Sequence, residues 1–155
     1  MSWMSTDTLA KIGEDPKAIF AIDFDGTIVE NEYPRIGRPV PMALEVLKEL
    51  TAKKYRLILY TMRSEKELNE AVVYCNRNNL DFWGINENPE QSKWTTSPKI
   101  YANVYFDDAG AGTPLLQGGN GKPYVDWVKV REMLVDWGIL EAKDVVDDGT
   151  KTFEI

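Results

Sequence analysis

Two aspartates follow a short apolar run near the start of this sequence. The run covers residues 18–22 and is rich in β-forming side chains, and Asp23 and Asp25 come directly after it. Successive side chains of an extended segment point to opposite sides, so these two carboxylates should face one side while Phe24 faces the other. Gly26 permits a sharp turn and lets backbone N–H groups approach an anion. The pattern predicts a pair of carboxylates that work on one substrate.

A second acidic pair, Asp107 and Asp108, follows another apolar run at residues 101–106. Four carboxylates in one partly desolvated crevice repel one another and take up protons unless a divalent cation and a lysine compensate their charge. The chain has no histidine and a single cysteine, Cys75, which excludes a zinc site built on nitrogen and sulfur ligands as well as Ser-His-Asp and Cys-His nucleophile pairs. Hard cations bound by oxygen remain, and we expect Mg²⁺ as the cofactor.

Such a site suits phosphoryl transfer. With a cation present, one carboxylate attacks an electrophile while its neighbour donates and removes protons. Thr61 follows a third apolar run at residues 56–60, and Thr61 with either Lys99 or Lys93 can hold phosphoryl oxygens. Positioning and charge neutralisation account for most of the catalysis in phosphoryl transfer, and these residue types supply both.

Apolar runs alternate with amphipathic stretches along the chain. Strands are predicted at residues 18–22, 56–60, 82–85 and 101–106. Helices are predicted after Pro41, after Ser64 with Glu67 completing a capping box, and over 127–137. This alternation predicts an α/β fold, a Rossmann-like three-layer sandwich with a mostly parallel central sheet. Ligands of such folds bind beyond the carboxyl ends of the strands, so the aspartates and Thr61 should meet at one edge.

The length of 155 residues predicts a single domain, with 1–17 as a peripheral segment and 139–155 as an acidic tail. Cys75, Trp127 and Trp137 lie at helical spacing among apolar neighbours and are expected in the core. A net charge of −7 argues against non-specific binding to nucleic acid or to an anionic membrane. No apolar run approaches the roughly 20 residues that span a bilayer, and a cytoplasmic location is expected.

Four short motifs resemble, in order, those of the haloacid dehalogenase (HAD) superfamily. They are Asp23-Phe-Asp-Gly-Thr27, Leu59-Tyr-Thr61, a lysine, and Tyr105-Phe-Asp-Asp108, and the resemblance spans about residues 18–110. With no domain-sized insertion after Asp25 or between Thr61 and Asp107, the chain resembles a small cap-less phosphatase of that superfamily. The resemblance implies a HAD-like fold and hydrolysis of phosphomonoesters, either small molecules or nucleic acid ends.

The same resemblance implies roles for the carboxylates. Asp23 would be the nucleophile that forms an aspartyl-phosphate, and Asp25 the general acid and base. Mg²⁺ would be held by Asp23, by the main-chain carbonyl of Asp25 and by Asp107, with Asp108 in support.

Other polar residues receive roles by the same resemblance. Thr61 would bind the transferring phosphoryl group, and Lys99 is favoured over Lys93 as the phosphoryl-site lysine. Tyr33 lies in the segment after the first motif, where it would touch the leaving group. The implied substrate-binding residues are Gly26, Thr27, Arg35, Arg38 and Arg63. For Arg63 the alternative is a solvated loop arginine, and for Tyr33 and the other two arginines it is an ordinary surface loop.

Two other functions fit part of the pattern. A catalytically silent module of the same fold would keep the metal crevice and only bind a phosphorylated ligand. A signalling receiver domain also gathers acidic residues, a threonine and a lysine beside a phosphorylated aspartate. The order of the motifs disfavours the receiver domain, because its phosphorylated aspartate ends a later strand, and here the second strand ends in Thr61.

Overall fold

The structure is a computed structural model and describes residues 18–143 of the 155-residue chain. It contains six strands, β1 (Ile19–Ile22), β2 (Arg56–Leu59), β3 (Gly84–Ile85), β4 (Val104–Phe106), β5 (Leu115–Gln117) and β6 (Pro123–Val125). It contains three α-helices, α1 (Ala43–Ala52), α2 (Glu65–Arg77) and α3 (Trp127–Asp136), and a 3₁₀ turn at Gln91–Lys93. The predicted peripheral segment and the part of the predicted acidic tail beyond residue 143 lie outside the described residues.

The central sheet has four parallel strands in the order β3-β2-β1-β4. The last residue of β1, Ile22, pairs with Leu59 of β2 and with Phe106 of β4. Because the three strands end in register, the residues that follow them emerge at the same edge of the sheet. The predicted α/β fold with a parallel central sheet is confirmed.

Side chains of both faces of the sheet are buried: the helices pack on one face, and residues that include Trp83, Ile100 and Ala102 cover the other. The sheet is therefore the middle layer of a Rossmann-like three-layer sandwich. On one face Phe20, Ile22 and Leu57 belong to the larger core cluster, which also takes in the buried residues of all three helices. On the opposite face Ile19 and Ala21 belong to a smaller cluster. This alternation along β1 follows the two-residue period of a strand.

Helix positions were predicted well, but their caps differ. Helix α1 begins two residues after Pro41, and α2 begins directly after Ser64. The capping box predicted for α2 is wrong, because Ser64 makes no side-chain capping hydrogen bond. Cys75, Trp127 and Trp137 are buried in the core as predicted.

The chain bends sharply before β4, which is therefore shorter than predicted. The hydroxyl of Tyr105 donates to the carbonyl of Ile100 at 2.6 Å and accepts from the N–H of Ala102 at 3.1 Å. One tyrosine side chain reaches both groups, so residues 100–103 fold back instead of continuing the strand.

A hairpin that the sequence pattern did not reveal supports the loop after β1. Strands β5 and β6 pair antiparallel around the predicted turn at residues 118–121. The N–H of Val125 in β6 donates to the carbonyl of Gly26 at 3.0 Å. The indole N–H of Trp127, at the start of α3, donates to the carbonyl of Thr27 at 2.7 Å. Through these two hydrogen bonds, the hairpin and the helix together hold the loop after β1 in place.

Ile139 and Leu140, the first residues of the predicted tail, are buried in the larger core cluster. None of the helices within residues 18–143 has both the length and the apolar character needed to cross a bilayer.

Candidate active site

Three aspartates converge at the carboxyl edge of the sheet. Asp23 follows β1, Asp107 and Asp108 follow β4, and each offers a carboxylate oxygen within 4.8 Å of the others. The N–H of Asp23 donates to the carbonyl of Phe106 at 3.0 Å, which ties the two strand ends together. We call Asp23, Asp107 and Asp108 the aspartate cluster. Its ligands are all oxygens at close range, the donor set that Mg²⁺ prefers.

Thr27 and Gly26 contact the aspartate cluster and fix the positions of its carboxylates. Thr27 is fully buried, and its hydroxyl donates to Asp23 Oδ2 at 3.0 Å and accepts from the N–H of Asp108 at 3.2 Å. Gly26 has φ +83°, and a β-carbon there would collide with the carboxylate of Asp108. The N–H of Gly26 already donates to the carbonyl of Val29 at 2.7 Å, so this N–H is not available to an anion. Both residues position the aspartates and do not line the cavity.

The aspartate cluster carries more negative charge than its surroundings compensate. Burial, followed by the charge of Asp107, raises the pKa of Asp23 from its ordinary value of 3.8 to about 8. Burial also raises the pKa of Asp108, with Asp107 as the next cause. A divalent cation would relieve this repulsion and restore the ionised carboxylates, so the residues present fit a Mg²⁺ ion held by Asp23, Asp107 and Asp108.

Asp25 is held apart from the aspartate cluster by Arg63. The Nε–H of Arg63 donates to Asp25 Oδ2 and its NH2 group donates to Asp25 Oδ1, both at 2.8 Å. The Arg63 side chain is fully buried, and the pKa of its guanidinium is raised, first by these hydrogen bonds. The carboxylate of Asp25 is therefore fixed in a bidentate pair. The metal ligand expected from Asp25 was its main-chain carbonyl, which this pair leaves untouched.

The remaining donors of Arg63 reach backbone carbonyls of two other segments. They bind the carbonyls of Pro34, Arg35 and Glu67 at 2.8 to 3.3 Å, so all five N–H groups of the guanidinium are used. Its Cζ atom lies 5.1 Å from the ring centroid of Phe24 and 5.2 Å from that of Tyr33. Arg63 is neither a solvated loop residue nor a free substrate ligand. It is a positioning residue that joins Asp25 to the segment after β1 and to the first turn of α2.

Asn86 is a positioning residue that the sequence reasoning missed. Its Oδ1 accepts from the N–H of Thr61 at 2.8 Å, and its Nδ2 lies 3.5 Å from the carbonyl of Arg63. The N–H of Arg63 donates to the hydroxyl oxygen of Thr61 at 3.1 Å. Asn86 directly follows β3, so the rule that parallel strands end at one edge pointed to it.

A cavity of about 570 Å³ opens above the aspartate cluster. Its lining residues are Asp23, Asp25, Asn31, Tyr33, Thr61, Met62, Arg63, Asp107, Asp108 and Ala109. The structure therefore brings Tyr33 and Thr61 to the aspartates, as the sequence predicted.

Arg35 and Arg38 lie between β1 and α1 in residues 28–40, the segment that we call the flap, and they are not brought to this cavity. Both side chains are exposed; Arg35 pairs with Glu32 and Arg38 with Glu30, each at 3.3 Å. They line a different depression beside Gly119 and Asn120. Their predicted contact with substrate is not seen, because acidic neighbours in their own segment bind them.

Neither candidate lysine lines the cavity. Lys93 and Lys99 are both exposed, and the carbonyl of Lys99 accepts from the side-chain amide of Gln91 at 2.7 Å. A straight strand of eight residues would place the α-carbons of Lys99 and Asp107 up to roughly 26 Å apart. The bend at residues 100–103 shortens this distance, and the preference for Lys99 over Lys93 rests on the motif resemblance alone.

Comparison with family models found no match, and comparison with curated proteins found none either. A solved structure, described as that of the conserved protein coded by a locus from Bacteroides thetaiotaomicron, is 36% identical to this chain. The match covers 86% of this chain and 98% of the Bacteroides chain, with a TM-score of 0.65. The chain belongs to the family of that conserved protein. This chain and the Bacteroides protein therefore share the α/β fold described above.

Proposed function

We propose that the protein is a Mg²⁺-dependent phosphomonoester hydrolase of the HAD type that acts through an aspartyl-phosphate on Asp23. The observation that carries this proposal is the division of the carboxylates: three converge in the aspartate cluster, and Asp25 is held separately beside the same cavity by Arg63. Nucleophilic catalysis of phosphoryl transfer needs this division between a nucleophile and a proton carrier.

In the first step, an ionised Asp23 oxygen attacks phosphorus and the bond to the leaving-group oxygen breaks. Asp25, protonated on an oxygen lone pair that Arg63 does not occupy, donates the proton that the leaving-group oxygen takes up. In the second step a water oxygen attacks the same phosphorus, Asp25 takes the proton of that water, and the acyl-phosphate bond breaks to regenerate Asp23 and release phosphate. A bound Mg²⁺ ion supplies the positive charge that keeps the aspartate cluster ionised and neutralises the phosphoryl oxygens.

Thr61 is suited to bind the transferring group. It lines the cavity, and its oxygen already accepts from the N–H of Arg63. Among the described residues its hydroxyl hydrogen has no acceptor, so it is free to donate to a phosphoryl oxygen.

The test is hydrolysis of p-nitrophenyl phosphate by purified protein with and without Mg²⁺. We expect turnover only with the metal, and Asp23→Asn should abolish it while leaving the circular dichroism spectrum unchanged. The matched control is Asp81→Asn, an exposed aspartate away from the cavity, which should retain wild-type turnover.

Undiminished turnover by a well-folded Asp23→Asn protein would remove the covalent mechanism. Phosphate or phosphomonoester binding without any turnover would favour the silent ligand-binding module instead.

A further inference from the structure

We propose that the substrate is a small phosphomonoester whose leaving group is uncharged and presents an apolar face to Met62 and Tyr33. This inference rests on the proposed function and names the substrate class of the same cavity. Of the two substrate classes implied by the sequence, small molecules and nucleic acid ends, this inference selects the small molecule.

The cavity rim beyond the aspartates is uncharged and partly apolar. Asn31, Tyr33, Met62 and Ala109 form it. Met62 directly follows Thr61 and is 96% exposed, so its apolar side chain is open to a ligand in the cavity. A leaving group that extends outward from a phosphoryl group bound at Thr61 reaches Met62 first. An apolar face on the leaving group would then pack against the Met62 side chain.

Tyr33 offers a second apolar surface, and its position is fixed. The ring is 56% exposed at the cavity, while the guanidinium of Arg63 lies 5.2 Å from its centroid. Arg63 is itself held by five hydrogen bonds, which use all of its N–H groups. A ring that is already oriented loses little freedom when a flat or apolar group stacks on it.

A charged leaving group meets no partner here. The only cation that lines the cavity among the described residues is Arg63, whose donors are all taken. Arg35 and Arg38 are paired with Glu32 and Glu30 in another depression. A second anionic group, such as a carboxylate or the next phosphate of a nucleic acid strand, would find no unpaired cation among the described lining residues, and the net charge of −7 opposes its approach.

The experiment compares three esters of similar reactivity and shape: benzyl phosphate, 4-carbamoylbenzyl phosphate and 4-carboxybenzyl phosphate. The carbamoyl group matches the size of the carboxylate without its charge. We expect kcat/KM for the carboxy ester to be roughly 10-fold or more below that for the carbamoyl ester.

Met62 allows a specificity change without a fold change, since its side chain is almost wholly in solvent. Met62→Lys should improve the carboxy ester selectively and bring the ratio of the two kcat/KM values to within about 3-fold. Met62→Gln, of similar length and uncharged, should keep the wild-type preference for the uncharged ester.

Equal kcat/KM values for the carboxy and carbamoyl esters would overturn this inference and leave the proposed hydrolase intact. A ratio unmoved by Met62→Lys would overturn the placement of the leaving group at Met62. No hydrolysis of any of the three esters with Mg²⁺ would remove the proposed function and this inference together.

Discussion

At the scale of single residues, Arg63 organises more of the site than any other side chain. It fixes both oxygens of Asp25 and anchors the carbonyls of Pro34, Arg35 and Glu67. A planar fork of five donors makes this possible, and a lysine ammonium with three donors at one point cannot reproduce it. A single buried arginine therefore couples the proton carrier to the flap over the cavity.

Replacing Arg63 should cost both stability and turnover. Arg63→Met leaves the Asp25 carboxylate, only 15% exposed, without its partner, and we expect a loss of about 3–5 kcal/mol in the free energy of unfolding. Arg63→Lys should recover part of the stability but lower kcat more than it raises KM, because Asp25 is then held by one point charge. Urea denaturation and steady-state kinetics measure the two effects. Arg77→Met, an exposed arginine of α2, is the control and should change little; equal behaviour of both methionine variants would contradict the positioning role.

Single substitutions also distinguish Lys99 from Lys93 as the residue that neutralises the phosphoryl group. Lys99→Met should depress turnover by orders of magnitude, as the loss of a charge partner in the transition state does, while Lys93→Met should stay within a few-fold of wild type. Steady-state kinetics with p-nitrophenyl phosphate distinguishes them. The reverse pattern transfers the role to Lys93, and two mild phenotypes mean that neither lysine has it.

At the scale of elements, an ion pair joins helix α3 to helix α1 on the face of the sheet that carries the larger core cluster. Arg131 of α3 binds Glu49 of α1 through two hydrogen bonds of 2.8 Å and also donates to the carbonyl of Glu141 at 2.9 Å. Helix α3 begins at Trp127, which holds the loop after β1. The pair therefore stabilises the element on which that loop rests.

The Glu49–Arg131 pair should make stability depend on pH. Hydrogen bonds from Arg131 hold the pKa of Glu49 below its ordinary value of 4.5, so the native state binds this proton less tightly than the unfolded chain. The stabilisation is present above pH 4.5 and is lost as the pH falls through the lowered value.

Urea denaturation at pH 7 and at pH 3 measures this contribution. Glu49→Gln should lower the free energy of unfolding by about 1 kcal/mol at pH 7, and the difference from wild type should shrink at pH 3. Glu132→Gln, an exposed glutamate on the same helix as Arg131, should match wild type at both values. A Glu49→Gln deficit that is the same at both pH values would refute the link to ionisation.

At the scale of the whole molecule, folding itself assembles the aspartate cluster. Asp23 is separated from Asp107 and Asp108 by most of the described chain, and only the pairing of β1 with β4 brings them together. The unfolded chain keeps these carboxylates apart, so a cation that needs all three binds the native state alone.

Mg²⁺ should therefore raise the melting temperature. At a concentration 100 times the dissociation constant, binding to the native state adds about 2.7 kcal/mol, which corresponds to several degrees for a chain of this size. Differential scanning calorimetry measures the shift, and EDTA should reverse it. Beryllium fluoride added with Mg²⁺ should raise the transition further by mimicking the phosphorylated Asp23. Asp107→Asn should lose most of the Mg²⁺ effect; an unmoved transition in the wild-type protein would mean that the metal site does not exist.

Much of the site followed from local patterns in the sequence. Short apolar runs that end in Asp23, Thr61 and Asp107 specify buried strands, and parallel strands separated by helices end at one edge. These two regularities involve only neighbouring residues and the handedness of the crossovers. They were enough to predict the sheet and the convergence of Asp23 with Asp107 and Asp108, although Asp25 was expected among them, and the Mg²⁺ site stays a prediction.

The partners of Arg63, the bend before β4 and the β5–β6 hairpin were decided by the tertiary structure alone. Arg63 and Asp25 are 38 residues apart, and whether an arginine at this point faces solvent or a buried carboxylate depends on how the flap closes over it. The bend at residues 100–103 depends on the Tyr105 hydroxyl, and the exposed side chains of β5 show no apolar alternation to reveal a strand. Contacts of this kind depend on distance in space and leave no period in the sequence, which is why the sequence predicted the carboxylates but not the arginine that holds one of them.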